Sequence, residues 1–177
     1  MKKLFALLFF FSSFLILNAQ DKKLNLIVGT YTKSCDSKGI YVYEFDSKTA
    51  DFKFKNSSEN IINPSYLSVS NDNKFVYSVS ENDNKSSISA FGYNSKSGKL
   101  DFINHQNPNG LNPCYVINDD KNVITANYSS GNISVLGKNI DGSIGEAKQL
   151  VQHTGKSINT NRQEAAHAHM VYFSPDK

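Results

Sequence analysis

The chain has 177 residues, with 19 basic and 16 acidic side chains and a formal net charge of +3 at pH 7. This near-neutral balance argues against nucleic acid as a partner. The four histidines and two cysteines show no spacing typical of a structural zinc site, and the chain is long enough to bury an ordinary core.

The first 19 residues have the pattern of a secretory signal peptide. Two lysines form a basic start, Leu4–Leu17 is an apolar run, and Ala19 ends a small-residue cleavage site. The run is too short and wrongly flanked for a membrane span, although an uncleaved anchor is the alternative. We expect residues 20–177 to form the mature domain, with 17 basic against 16 acidic side chains and no membrane association.

Export predicts a periplasmic or secreted location, where cysteines meet an oxidising environment. Cys35 follows a polar segment, and Cys114 comes directly after Pro113 at the start of a predicted strand. Their pairing would require close approach of the two side chains, so both a disulfide and two free thiols fit the sequence.

Apolar and polar residues alternate through the rest of the chain, which predicts short β-strands. The links between them are rich in Asn, Asp, Ser and Gly, which favour turns. In chain order the predicted strands are Leu24–Thr32, Ile40–Asp46, Phe52–Lys55, Tyr66–Ser70, Phe75–Ser80, Ile88–Tyr93, Leu100–His105, Tyr115–Asn118, Val123–Asn127, Ile133–Gly137, Lys148–Gln152 and His169–Phe173. The sequence therefore predicts an all-β fold.

An internal repeat organises these strands. Ile40, Ile88 and Ile133 begin three similar segments, 48 and 45 positions apart. A second pattern, Asn63–Tyr66 and Asn112–Tyr115, keeps step with the first and starts again near residue 169. A period of this length, built of short strands, is typical of the blades of a β-propeller.

The four strands of a blade are called a to d here, in chain order. The predicted propeller starts at Leu24, in a segment that matches strand b. The sequence stops at Lys177, where the next strand b is due. We expect a truncated propeller of about three blades. A complete three-bladed protein is the alternative, but propellers typically have four to eight blades.

The order of strands in an antiparallel meander places the d-to-a and b-to-c links at the same end. Long polar links therefore collect at one face, where a binding site is expected. These links are 81–85, 107–113, 127–131 and 154–168.

The stretch Arg162–His169 is the most prominent candidate site. It places a guanidinium, a carboxylate and two imidazoles within eight residues. In a strand, His167 and His169 would point the same way, with small alanines beside them. A structural role, weak metal binding and a surface ion pair of Arg162 with Glu164 are the alternatives. A metal would need a third ligand that is not obvious nearby, so we expect no metal and no cofactor.

These features resemble the seven-bladed propeller lactonases, which include propeller-type 6-phosphogluconolactonase and the related carboxy-muconate cycloisomerases. The resemblance spans Leu24–Lys177 and implies four-stranded antiparallel blades, about three of a probable seven. Ala166 departs from it, because family members often have proline there. The matching segments are Val28–Thr32, Asn63–Leu67, Pro113–Tyr115, Ala126–Val135, Arg162–Glu164, His167–His169 and Ser174–Asp176.

The resemblance implies a lactone hydrolase that opens a sugar lactone to its acid, and a protein that is monomeric when complete. His167 or His169 would act as the general base, because imidazole titrates near neutral pH. Arg162 would bind a phosphate or stabilise the oxyanion, and Glu164 would orient an imidazole or act as an acid. Sugar hydroxyls would bind residues at the same end, namely Asn127, Tyr128 and Glu81.

Two other functions fit the sequence. A non-catalytic propeller that binds a ligand or a protein in the cell envelope is one, since binding propellers are common. A cycloisomerase acting on an unsaturated dicarboxylic acid is the other, and it would need arginines besides Arg162.

Overall fold

The computed structural model describes residues 23–176, which form eleven β-strands in three antiparallel sheets. The predicted signal peptide lies outside these residues. Within them, the single turn of 3₁₀ helix at Asp83–Lys85 is the one helical element, and no helix is long and apolar enough to cross a membrane. The strands are β1 Lys23–Gly29, β2 Ile40–Asp46, β3 Phe52–Ser58, β4 Leu67–Val69, β5 Phe75–Ser80, β6 Ser87–Asn94, β7 Lys99–Gln106, β8 Pro113–Asn118, β9 Asn122–Asn127, β10 Asn132–Lys138 and β11 Ile144–Gln152.

Each sheet is a simple meander. Strands β1–β3 form blade 1, β4–β7 form blade 2 and β8–β11 form blade 3, with successive strands paired in order. Blade 1 has three strands and begins with strand b, as the sequence predicts. The all-β class and the four-stranded antiparallel blades are thereby confirmed.

The strand registers show that the sequence repeat is also a structural repeat. Ile40 pairs with Gly29, Ile88 with Val79 and Ile133 with Ala126, always between strands b and c of one blade. The three isoleucines therefore occupy the same place in three blades, and residues at equal distances from them are equivalent.

The core lies between the blades. A blade with a neighbour on each side has both of its faces covered, so apolar side chains are buried on both faces. One buried cluster joins blades 2 and 3, and a smaller one joins blades 1 and 2. Burying a valine, leucine or isoleucine stabilises a fold by about 1.5–3 kcal/mol. The fully buried members of the larger cluster include Tyr77, Val79, Ile88, Val116, Val123 and Leu136.

The structure departs from the predicted strands at several places, among them β3, which runs to Ser58 rather than Lys55. Strand β1 ends at Gly29 rather than Thr32, because the Thr32 amide donates to the Asn63 side chain of the next blade. Strand β11 starts earlier than predicted, at the buried Ile144. The predicted strand His169–Phe173 is not formed among the described residues. No strand pairs with this segment within residues 23–176.

Candidate active site

A polar groove with a volume of ≈ 380 Å³ opens at the end of the blades where the b-to-c links lie. The lining residues come from all three blades and from the segment that follows blade 3. They are Tyr31, Ser65, Glu81, Asn112, Cys114, Tyr128, Ser129 and His169. The structure thus brings three of the predicted site residues together at the predicted end of the sheets, namely Glu81, Tyr128 and His169.

One wall of the groove uses the same position in each blade. Tyr31, Glu81 and Tyr128 each stand two residues beyond the strand b residue that pairs with a repeat isoleucine. At this point the chain has left the sheet, so the side chain is free to face the opening between blades. The repeat therefore places an aromatic residue, a carboxylate and a second aromatic residue side by side.

The opposite wall uses a second repeated position, at the start of strand a. The amide of Val79 donates to Tyr66 at 3.1 Å, and Tyr115 pairs with Ala126, so the residues before these tyrosines, Ser65 and Cys114, are equivalent. His169 stands at the same position in the next copy, 104 positions after Ser65. The sequence supports this alignment, because Ser70-x-Asp72 returns as Ser174-x-Asp176 at the same interval.

Two hydroxyl groups hold the Glu81 carboxylate in the groove. Tyr31 donates its hydroxyl to Glu81 Oε1 at 3.0 Å, and Ser65 donates to the same oxygen. Burial, followed by the hydrogen bond to Glu81, raises the pKa of Tyr31, which therefore remains a donor. Because both bonds go to Oε1, Oε2 can accept a hydrogen bond from a ligand.

The two candidate histidines contact Tyr128 from different directions. The His167 imidazole is stacked on the Tyr128 ring, with centroids 4.6 Å apart and an interplanar angle of 13°. His169 meets that ring edge-on at 5.7 Å and 90°. His167 is partly buried, whereas His169 is exposed and lines the groove.

Protein oxygen atoms lie near both ring nitrogens of His167, and one of them forms a hydrogen bond. Its Nδ1 lies 3.1 Å from the Tyr128 carbonyl oxygen, and its Nε2 lies 3.4 Å from Glu164 Oε1. A carbonyl oxygen only accepts, so Nδ1 carries a proton and donates. The predicted alternative for Glu164, an ion pair with Arg162, is replaced by this contact with His167.

Arg162 is not among the residues that line the groove. Its side chain is exposed on the link after β11, and its amide donates to the Asn159 carbonyl at 3.2 Å. The groove is lined by other residues, so the structure does not bring the guanidinium together with His169 and Glu81.

Asn127 lies beneath the groove, contrary to the expectation that it lines it. Its side chain is fully buried and donates through Nδ2 to Asn132 Oδ1 at 2.8 Å and to Ser134 Oγ at 2.7 Å. The close approach of Gly110 covers it, because a Cβ on Gly110 would overlap the Asn127 amide. Asn127 therefore orders the inside of blade 3.

Five groove residues were not predicted as site residues, and the repeat carries the signal for most of them. Tyr31 and Ser65 are the equivalents of Tyr128 and His169 in earlier blades. Asn112 has a positive φ of 50° and bonds Ser129 Oγ through Nδ2 at 2.9 Å. Burial raises the pKa of the Cys114 thiol, and its Sγ lies 3.4 Å from the His169 carbonyl oxygen. Cys35 and Cys114 are both free thiols.

The groove contains His169, Glu81 and Cys114, but they are not grouped as metal ligands. Within residues 23–176, no group of three or more His, Cys, Asp or Glu side chains could hold a metal ion. The groups available in the groove are imidazole, carboxylate, hydroxyl, amide and thiol.

Comparison with known proteins places these features in a family. The family described as "Lactonase, 7-bladed beta-propeller" matches residues 25–177. The 6-phosphogluconolactonase of Bacillus subtilis is 37% identical over 151 residues, which cover 84% of this chain and 43% of the relative. The chain thus spans less than half the length of this curated relative.

Solved structures match similar fractions of this chain and of their own chains. A Bacteroides fragilis protein, provisionally named a 6-phosphogluconolactonase, superimposes with a TM-score of 0.84 at 39% identity, covering 89% of this chain and 44% of that chain. The Pseudomonas aeruginosa periplasmic gluconolactonase PpgL has a TM-score of 0.80 at 30% identity, covering 88% and 45%. The resemblance predicted from the sequence is confirmed, and the chain belongs to the family of seven-bladed β-propeller lactonases.

Proposed function

We propose that the protein hydrolyses a sugar lactone, 6-phosphogluconolactone or a related aldonolactone, to the open acid. The observation that carries this proposal is the groove that joins His169, Glu81 and Tyr128 at the mouth between the blades. The activities named for the Bacillus and Pseudomonas relatives agree with it.

Lactone hydrolysis needs a base that activates water and an acid that protonates the departing ring oxygen. His169 is the proposed base, since it is the imidazole that lines the groove and is open to water. It takes a proton from water as the hydroxide oxygen bonds to the lactone carbonyl carbon. When the tetrahedral intermediate collapses, the ring C–O bond breaks and the imidazolium returns the proton to the leaving oxygen.

The polar groups around His169 suit the rest of the substrate. Glu81 is held at Oε1 by two hydroxyls, so Oε2 is positioned to accept from a sugar hydroxyl. Tyr128 offers an aromatic face, and Asn112 and Ser129 offer short polar side chains on the same wall. These groups together match a small polyhydroxylated molecule better than an apolar one.

Arg162 is proposed to bind the phosphate of a phosphorylated substrate. Its exposed guanidinium can form two parallel hydrogen bonds with a phosphate. Glu164, two residues further on, reaches the His167 ring at the edge of the site, so the link that carries Arg162 returns toward the groove.

The proposed location is the periplasm. The signal-peptide pattern of residues 1–19 supports it, and the Pseudomonas relative is named a periplasmic gluconolactonase.

The test is an assay of the purified protein on gluconolactone and on its 6-phosphate. His169→Ala is expected to lower kcat by about 10²-fold or more, the usual contribution of a general base. His153→Ala is the matched control, because His153 is exposed at the end of β11, away from the groove. An unchanged kcat in His169→Ala would exclude this base, and tight ligand binding without turnover would favour the non-catalytic propeller.

A further inference from the structure

We propose that His167 is a positioning residue that fastens the segment after blade 3 to Tyr128 and so sets the orientation of His169. This inference rests on the proposed function for its catalytic consequence. Its structural part, a clasp between successive blades, can be tested without any substrate.

The repeat gives His167 two counterparts in sequence register, although the asparagines at both places have a positive φ and His167 does not. Asn63 lies 104 positions before it, the same interval that relates Ser65 to His169. Asn112 is the equivalent in blade 3, because the amide of Tyr128 donates to its carbonyl at 3.0 Å just as the amide of Glu81 donates to Asn63 at 3.3 Å.

Both asparagines connect the start of a blade to the preceding blade. Asn63 Oδ1 accepts from the Thr32 amide at 2.9 Å and from the next amide along the chain at 3.2 Å. Asn112 Oδ1 accepts from the Asp83 amide at 2.9 Å. In each case the bonded backbone is the b-to-c link of the preceding blade.

His167 also connects to the preceding b-to-c link, but with the opposite hydrogen-bond direction, since its ring donates where the asparagines accept. Its Nδ1 bonds the carbonyl of Tyr128, which belongs to the b-to-c link of blade 3. Nδ1 donates to this carbonyl, the ring is stacked on Tyr128, and His167 is not among the residues that line the groove. This geometry favours a structural connection over proton transfer by His167.

The connection reaches the reaction site through Tyr128. Stacking of His167 on one face of the Tyr128 ring fixes the plane of that ring, and His169 packs against it edge-on. Loss of His167 would therefore free Tyr128 and allow His169 to change its orientation. Small displacements of a positioned base reduce the rate strongly.

The experiment compares His167→Ala, His167→Asn and His169→Ala in the purified protein. Asparagine can donate through Nδ2 to the Tyr128 carbonyl, as His167 does through Nδ1, so it can restore the hydrogen bond without the imidazole. We expect His167→Ala to lower Tm by several degrees and kcat by about 10-fold. His167→Asn should recover most of the lost Tm through its hydrogen bond. Its kcat should lie between those of His167→Ala and the wild type, because the ring that stacks on Tyr128 is missing, and the pH profile of kcat should keep its shape.

Three results would overturn the proposal. His167→Asn with a wild-type Tm but a kcat as low as that of His169→Ala would show that the imidazole itself transfers the proton. His167→Ala with wild-type Tm and kcat would show that there is no clasp. Failure of asparagine to recover any of the Tm lost in His167→Ala would show that the hydrogen bond to the Tyr128 carbonyl does not fasten the segment. If the wild-type protein hydrolyses no lactone, the proposed function fails, and the Tm series still decides whether the clasp exists.

Discussion

The contact between blades 2 and 3 and the contact between blade 3 and residues 166–169 come from the same repeat but depend on different forces. The first is a layer of buried apolar side chains. The second consists of a stacked ring, a hydrogen bond from His167 and the packing of the Cys114 thiol on the His169 backbone. The comparison shows how one architecture can combine a stable interior with an adjustable site, because polar contacts at an exposed edge open more readily than a packed core.

The largest expected effect is on the apolar contact. Leu136→Ala removes a fully buried side chain between blades 2 and 3 and should lower the free energy of unfolding by about 2–5 kcal/mol. Denaturant unfolding measures this loss. Leu150→Ala, at a position that is 45% exposed, is the matched control and should stay within about 0.5 kcal/mol. Equal losses in the two variants would contradict the assignment of the core.

Gly131→Ala should disrupt the contact between blade 3 and residues 166–169. Gly131 has a positive φ of 62°, and a Cβ there would overlap the carbonyl of Ala166. We expect a cost of about 1–3 kcal/mol, together with a loss of lactonase activity as the segment bearing His169 moves away. Gly145→Ala is the control, since its Cβ would meet only ordinary contacts at 3.8 Å or more. Full activity in Gly131→Ala would mean that this close approach does not hold the site.

The rate at which the Cys114 thiol is chemically labelled can show whether the two contacts open independently. Burial raises its pKa, so at pH 8 less of it is thiolate, the form that reacts, and labelling should be slow while the segment is in place. In a Cys35→Ser background, which removes the exposed thiol, we expect His167→Ala to speed labelling by about 10-fold at denaturant concentrations too low to unfold the core. Serine at position 35 leaves Cys114 as the only cysteine of the chain. Labelling that accelerates only with global unfolding would mean that the two contacts open together.

The smallest effect concerns Tyr31, which contributes to the groove but not to either contact. Tyr31→Phe removes one of the two hydroxyls that hold Glu81 Oε1, while Ser65 remains. We expect KM to rise by about 3- to 10-fold with little change in kcat, as for the loss of one hydrogen bond worth about 1 kcal/mol. Steady-state kinetics on the lactone measures both constants, and a fall in kcat alone would place Tyr31 in the chemical step.

Most of the fold follows from the sequence because its signals are local. Alternation along each strand and turn residues between strands predict eleven of the strands, and the repeat shows how they group. The strand at 169–173 is the exception. Its residues have the right pattern, but hydrogen bonding to a partner is what makes a strand, and pattern alone does not supply the partner.

The site is less accessible to sequence reasoning, since it depends on which side chains face the groove. Asn127 and Tyr128 are neighbours, and neighbours at the end of a strand point to opposite sides, so one is buried while the other lines the groove. His167 and His169 are also close in sequence but differ in their contacts. His167 is stacked on Tyr128, whereas His169 lines the groove. Tyr31 and Ser65 could have been predicted from the repeat, because they occupy the positions of Tyr128 and His169 in earlier blades.

The two repeated groove positions also bear on how such proteins diverge. Duplication of a blade copies the backbone that presents both positions, whatever side chains they carry. Ser65, Cys114 and His169 show three occupants of one of them, and Tyr31, Glu81 and Tyr128 show three of the other. A new substrate preference can thus evolve, or be engineered, by exchanging single side chains at these groove positions. The apolar layers that hold the blades together then stay unchanged.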